Sequence, residues 1–168
     1  MGSRSHAAAR RGIVLAAILT ACATYAAEMP RPEPEPPAPL AFDDWALVCA
    51  GTCDIRTRIV GRDGSDVLTL IARAGDGGAF GVETPLPLFL PDPVRLTLGP
   101  AEPRAIPWRT CGVVGCEARA PLTPDLLADL RRELSGSVEL TLETGDRVRF
   151  GVSLLGFTAA WRALSDAP

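Results

Sequence analysis

The chain has no lysine, asparagine or glutamine, and a single histidine, His6, among its 168 residues. Apart from His6, every basic side chain is an arginine, a bias that fits GC-rich coding and implies no function by itself. The lack of histidine beyond position 6 excludes a Ser-His-Asp triad, a Cys-His pair and imidazole metal ligation from the rest of the chain. No G-x-x-x-x-G-K-[ST] loop is present to cradle a phosphate. Neither Cys-x-x-Cys nor Cys-x-x-Cys-His occurs, which removes thioredoxin-like chemistry and haem attachment. Paired carboxylates remain, and Asp43-Asp44 is the most visible pair. Adjacent residues on an extended chain point opposite ways, so this pair reads as a solvated turn and not as a glycosidase site. The residues support no enzyme, and the expected cofactor and metal complement is none.

Aromatic residues are also scarce, at 5% against 47% hydrophobic overall, so the core has to be built from Leu, Val, Ile and Ala. The length suits one compact domain and a tail. The formal net charge is −3, and the only charged residues in the first 21 are Arg4, Arg10 and Arg11. Without those three arginines the charge becomes −6. A modestly acidic chain with scattered arginines lacks the clustered positive charge that a nucleic-acid surface needs.

The N-terminus reads as an export signal. Residues 1–12 carry three Arg and no acid, "IVLAAILTA" (13–21) is apolar, and small residues follow. The apolar run is far below the ~20 residues of a membrane-spanning helix. At its end, Leu19-Thr20-Ala21-Cys22 resembles the bacterial lipobox, which implies acylation of the Cys22 sulfur and cleavage before it. Two or three acyl chains anchor a protein stably where one does not. The alternative is ordinary signal-peptidase cleavage a few residues on, with Thr24 and Ala26 as the small −3 and −1 residues. Either way four cysteines remain in the mature chain. Residues 28–40, "EMPRPEPEPPAPL", hold six prolines and favour extended polyproline II, a spacer of ~3.1 Å per residue. The expected organisation is a signal peptide with lipobox at 1–21, a Pro-rich linker at 22–41 and a β domain at 42–168.

Within that domain, "WALVC", "CDIRTRIV", "VLTLIAR", "AFGVE", "VRLTL", "VELTLE" and "RVRFGVSL" are short strand-like runs, several alternating apolar with polar residues. In "DIRTRIV", Ile55, Thr57 and Ile59 share one face, with Arg56 and Arg58 on the other. "GRDGS" (61–65), "GDGG" (75–78) and "TGD" (144–146) are turn signals. The pattern predicts a mainly β fold, an antiparallel sandwich or barrel-like domain with one α-helix at about 123–135. Thr123 is its N-cap, Pro124 its first residue, and Leu126, Leu127, Leu130 and Leu134 its apolar stripe. Over 157–164 a short helical turn and a strand end both remain open.

Cys49, Cys53, Cys111 and Cys116 should be oxidised in an exported protein. Four cysteines allow three connectivities, and spacing alone does not choose among them. The two local bridges are favoured here, because Gly51 turns the first loop and Gly112 and Gly115 the second.

In order, "DDWALVC" with a second cysteine soon after, "ETPLPLFLPDPVRL", "WRTCGVVGCEARAPL", the Leu-rich helix and "VSLLGFTAAWRAL" resemble the bacterial invasion-associated locus B family over about residues 42–164. The C-x4-C-E-A segment and the terminal "SLxGFTAA" are the most specific parts. The resemblance implies an exported, envelope-associated protein with a mainly β domain and no established catalytic residues. Members also occur in bacteria with no invasive habit, so it implies an envelope protein more strongly than it implies invasion. Pro87 and Pro93 stand where the family tends to have glycine, so the turns there should differ.

The expected function is a non-enzymatic, lipid-anchored envelope protein facing the periplasm or the surface, whose disulfide-stabilised domain binds an envelope or host protein. A small-ligand carrier with a pocket between its sheets is the alternative. Candidate contact residues are Trp108, Trp161, Phe89 and the "PLPLFLP" loop (85–91), with Arg56, Arg58, Arg147 and Arg149 as a possible basic face. Packing residues and a solvated strand face are the plainer readings of the same positions.

Overall fold

The computed structural model describes residues 38–75 and 77–167. The leader, Cys22 and nearly all of the spacer lie outside the described residues. Short alternating segments pair with their nearest neighbours first. β1 (Leu40–Phe42), β2 (Trp45–Ala50), β3 (Thr52–Val60), β4 (Asp66–Arg73) and β5 (Ala79–Thr84) follow one another as antiparallel neighbours. The chain then crosses to a second sheet with β6 (Val94–Leu98) and β7 (Arg104–Ile106), and returns with β8 (Trp108–Gly112) and β9 (Gly115–Pro121). Helix α1 (Pro124–Arg132), β10 (Ser135–Thr141), β11 (Arg147–Ser153) and helix α2 (Phe157–Ser165) complete it. The seven-stranded sheet runs β1-β2-β3-β4-β5-β9-β8 and the four-stranded sheet β11-β10-β6-β7.

The expected turns sit between strands. Gly61 N donates to Ser65 O at 2.8 Å, Gly78 N to Gly75 O at 3.0 Å, and Gly145 N to Leu142 O at 2.8 Å. The proline-rich 85–93 segment needs no amide from Pro87, whose carbonyl accepts from Glu143 N at 3.2 Å, and it turns where Asp92 N reaches Phe89 O.

Both sheets contribute to one core. Ile55, Leu68, Leu70, Phe80 and Val82 from the larger sheet share a buried cluster with Leu96, Leu98, Val138 and Leu140 from the smaller one. In β3 the alternation holds: Ile55 and Thr57 are buried and Ile59 half-buried, while Arg58 is exposed. Asp54 on the outer face is also buried. A carboxylate survives there because Arg56 Nη2 donates to it at 2.8 Å and Arg73 lies 3.6 Å away. The Asp54 hydrogen bonds hold the Arg56 guanidinium more firmly protonated than usual, against the opposing effect of its partial burial.

Helix α1 begins as its sequence dictates, with Thr123 Oγ1 accepting from Leu126 N at 3.2 Å. It ends earlier than expected. Glu133 adopts extended backbone, so Leu134 leaves the helical stripe and stands 69% exposed just before β10. The domain also has two helices instead of one. Gly156, with φ of 86°, is the N-cap of α2, and Phe157, Ala160 and Leu164 then bury one face of that helix.

Asp129 of α1 is held by Arg104 from β7 and by Arg132 Nη2 at 2.6 Å. The Arg104 hydrogen bond, then Arg132, keeps the carboxyl below its ordinary 3.8 despite partial desolvation. A folded-state value below the unfolded one means stability present at neutral pH and lost as pH falls through the folded value. We expect Asp129→Asn to lower the urea midpoint near pH 6, with the gap to wild type closing as pH falls from the ordinary 3.8 through the lower folded-state value. An unchanging gap between those limits would contradict this reading of the ion pair.

Candidate functional site

The β8–β9 hairpin makes the most distinctive surface. Cys111 and Cys116 face each other directly in the register, as do Gly112 and Gly115, leaving Val113 and Val114 as a two-residue loop. Such loops ordinarily take Asn, Asp or Gly, whose backbone freedom and polarity suit a solvated tip. Here two β-branched apolar residues stand 106% and 86% exposed. The Cys111–Cys116 bridge ties the strands immediately behind them.

This tip rests against the end of β5. A Cβ on Gly115 would lie 2.3 Å from the Thr84 carbonyl oxygen and 2.9 Å from Pro85 Cα, so no side chain fits there. Thr84 fixes that end in turn: its buried Oγ1 donates to Val67 O at 2.9 Å and accepts from Leu86 N at 3.2 Å. Between the tip and the start of β4 lies an open groove of about 530 Å³, lined by residues such as Leu68, Thr69, Glu83, Pro85, Thr110 and Val114.

Its polar side follows from register. Thr69 faces Glu83, Glu83 faces Glu117, and Glu117 faces Thr110, a row across four strands. Two carboxylates directly opposite one another repel. Arg119 Nε donates to Glu117 at 2.9 Å and Arg73 approaches it at 3.5 Å. Glu83 has no ion-pair partner among the described residues.

The other candidates fall elsewhere. Trp108 is half-buried against the core, with Nε1 donating to Asp92 O at 2.8 Å. Trp161 stacks on Phe157 within α2. Both tryptophans are packing residues. Phe89 is 44% exposed on the segment between the sheets. The four arginines form no common face: Arg56 and Arg58 belong to the seven-stranded sheet, Arg147 and Arg149 to the edge strand of the other. Arg56 pairs with Asp54, Arg58 with Asp66 and Arg149 with Glu139. Asp43 and Asp44 are exposed in the β1–β2 turn. Among the described residues no three His, Cys, Asp or Glu side chains gather as a metal site.

The remaining cysteines form the second bridge, Cys49–Cys53, across the β2–β3 hairpin, again between directly facing residues. A smaller concavity of about 210 Å³ lies between β7, β9 and α1, beside Ile106, Ala120 and Leu126. Ligand pockets usually span roughly 300–1,000 Å³, so this concavity is smaller than usual, while the open groove of about 530 Å³ on the larger sheet falls within the range. Val113 and Val114 were not among the candidates from sequence, although two valines bracketed by Gly112, Gly115 and two cysteines carry the signal.

These features define an antiparallel two-sheet domain with two hairpin-pinning disulfides. The chain belongs to the invasion associated locus B (IalB) protein family, whose model matches residues 45–165. Its fold is similar to the crystal structure of invasion associated protein B from Bartonella henselae, with a TM-score of 0.69 at 19% identity, covering 77% of this chain and 96% of that one. None of the curated proteins matches the chain.

Proposed function

We propose that this chain is a non-enzymatic, exported envelope protein, anchored through lipid on Cys22, whose β domain binds an envelope or host protein at the β8–β9 end of the larger sheet. The observation that carries the binding reading is the pair Val113–Val114, fully exposed on a rigid, disulfide-closed tip beside a groove. Rigid apolar groups lose little conformational freedom on docking. The family description, invasion associated, supports a surface role, and the lipobox with its proline spacer supports presentation away from a membrane.

The test has two arms in cells producing the full chain. Cys22→Ala moves the protein from the membrane fraction to the soluble one; a wild type that is already soluble and carries no acyl mass refutes the anchor. A photo-crosslinker at Val114, but not one at Arg147, captures a specific partner. Val113→Ser with Val114→Ser then weakens that complex. Burial of two valines contributes about 3 kcal/mol, roughly a hundredfold in Kd. An unchanged affinity in a variant with wild-type thermal stability removes the tip from the interface.

A further inference from the structure

The two disulfides have almost the same covalent span but different surroundings. Cys49 and Cys53 are both half-buried, Cys53 packs against the core, and α2 lies on the β2 and β3 strands that carry them. Cys111, by contrast, is exposed, and its neighbours Gly112 and Gly115 have no side chains to shield it. Gly112 and Cys116 line the open groove, so an incoming thiol has a path to the bridge.

The hairpin does not depend on this bridge for its closure. Gly112 pairs with Gly115 beyond it and Thr110 with Glu117 behind it, while Gly115 sits against Thr84. Only four residues separate the cysteines, so the bridge restricts the unfolded chain little. Exposed bridges are in general the more readily reduced ones.

We propose that Cys111–Cys116 is a thiol–disulfide exchange site in the folded protein, opened by a dithiol reductant while Cys49–Cys53 stays closed. One thiolate of the reductant attacks Cys111 Sγ, forming a mixed disulfide as the Cys111–Cys116 bond breaks. Cys116 leaves as a thiolate and takes a proton from water. The second thiol of the reductant, as thiolate, then attacks its own sulfur in the mixed disulfide and releases Cys111, which is protonated in turn. The bridge has gained two electrons and two protons, and the dithiol has become a disulfide. The Cys-x4-Cys pair is thus the substrate of exchange, not an oxidoreductase centre. This assignment stands independently of the docking reading above.

The oxidised full chain is incubated with graded dithiothreitol without denaturant, quenched with an alkylating agent, and read peptide by peptide. We expect the Cys111 and Cys116 peptides to become alkylated at a rate about tenfold or more above those of Cys49 and Cys53, with the far-ultraviolet circular dichroism unchanged. Simultaneous opening, the opposite order, or loss of the β signal as Cys111–Cys116 opens overturns the proposal. In a Cys49→Ala, Cys53→Ala variant that still folds, Cys111–Cys116 remains reducible without denaturant; a need for denaturant there overturns it equally.

Discussion

Replacing Gly156 with alanine should lower the unfolding free energy by about 3–5 kcal/mol, among the largest effects of any single substitution in this domain. Gly156 has φ of 86°, and a Cβ there would sit 1.8 Å from the Phe42 carbonyl oxygen and 2.6 Å from its carbon. Those obstacles are backbone atoms, so no side-chain rotation relieves them. The new methyl group must either push β1 away or force α2 off its seat. Gly145 supplies the control. Its φ is 88°, but nothing lies within 4 Å of its Cβ position, so Gly145→Ala carries only the left-handed backbone penalty of about 1–2 kcal/mol. Equilibrium urea unfolding of both variants separates steric exclusion from backbone preference. Equal losses would mean that the Phe42 contact contributes nothing.

The second large effect lies at the same corner. Trp45 is 1% exposed, meets Phe157 edge-on at 4.9 Å and 86°, and donates from Nε1 to Ser153 O at 3.1 Å. Trp45→Ala should cost about 3–5 kcal/mol through lost burial and the cavity left behind. Trp45→Phe keeps a ring against Phe157 and leaves the Ser153 carbonyl without this donor, a loss of about 1–2 kcal/mol on that account. If phenylalanine proves as damaging as alanine, the hydrogen bond outweighs the packing and the order of these contributions is wrong.

Short apolar runs made β2 to β6, β10 and β11 legible, some of them alternating as β6 and β10 do and others, such as β4 and β5, buried over consecutive residues. The strands β7, β8 and β9 carry no such pattern. "GCEARAP" has two alanines among Gly, Cys, charged residues and Pro, and it becomes a strand because tertiary pairing sets Ala118 between Val82 and Trp108. Local preference was outweighed by register. The groove was hidden for the same reason, since it exists only once β9 lies beside β5. Leu134 failed differently: its spacing fits the α1 stripe, but the helix stops at Arg132 and β10 begins three residues later. The local bridges needed only the nearness of each cysteine pair and the glycines between them.

The contact between Trp45 and Ser153 spans 108 positions, and it has a temporal consequence. A polypeptide emerging N-terminus first can pair β1 to β5 early, but the part of that sheet made by β2 and β3 is covered by α2 only when Phe157, Ala160 and Leu164 arrive. Non-local closure of this kind is slow and leaves apolar surface open while it waits. The final nine-residue helix therefore acts as a latch, and the domain reaches its native state only after synthesis has passed Leu164.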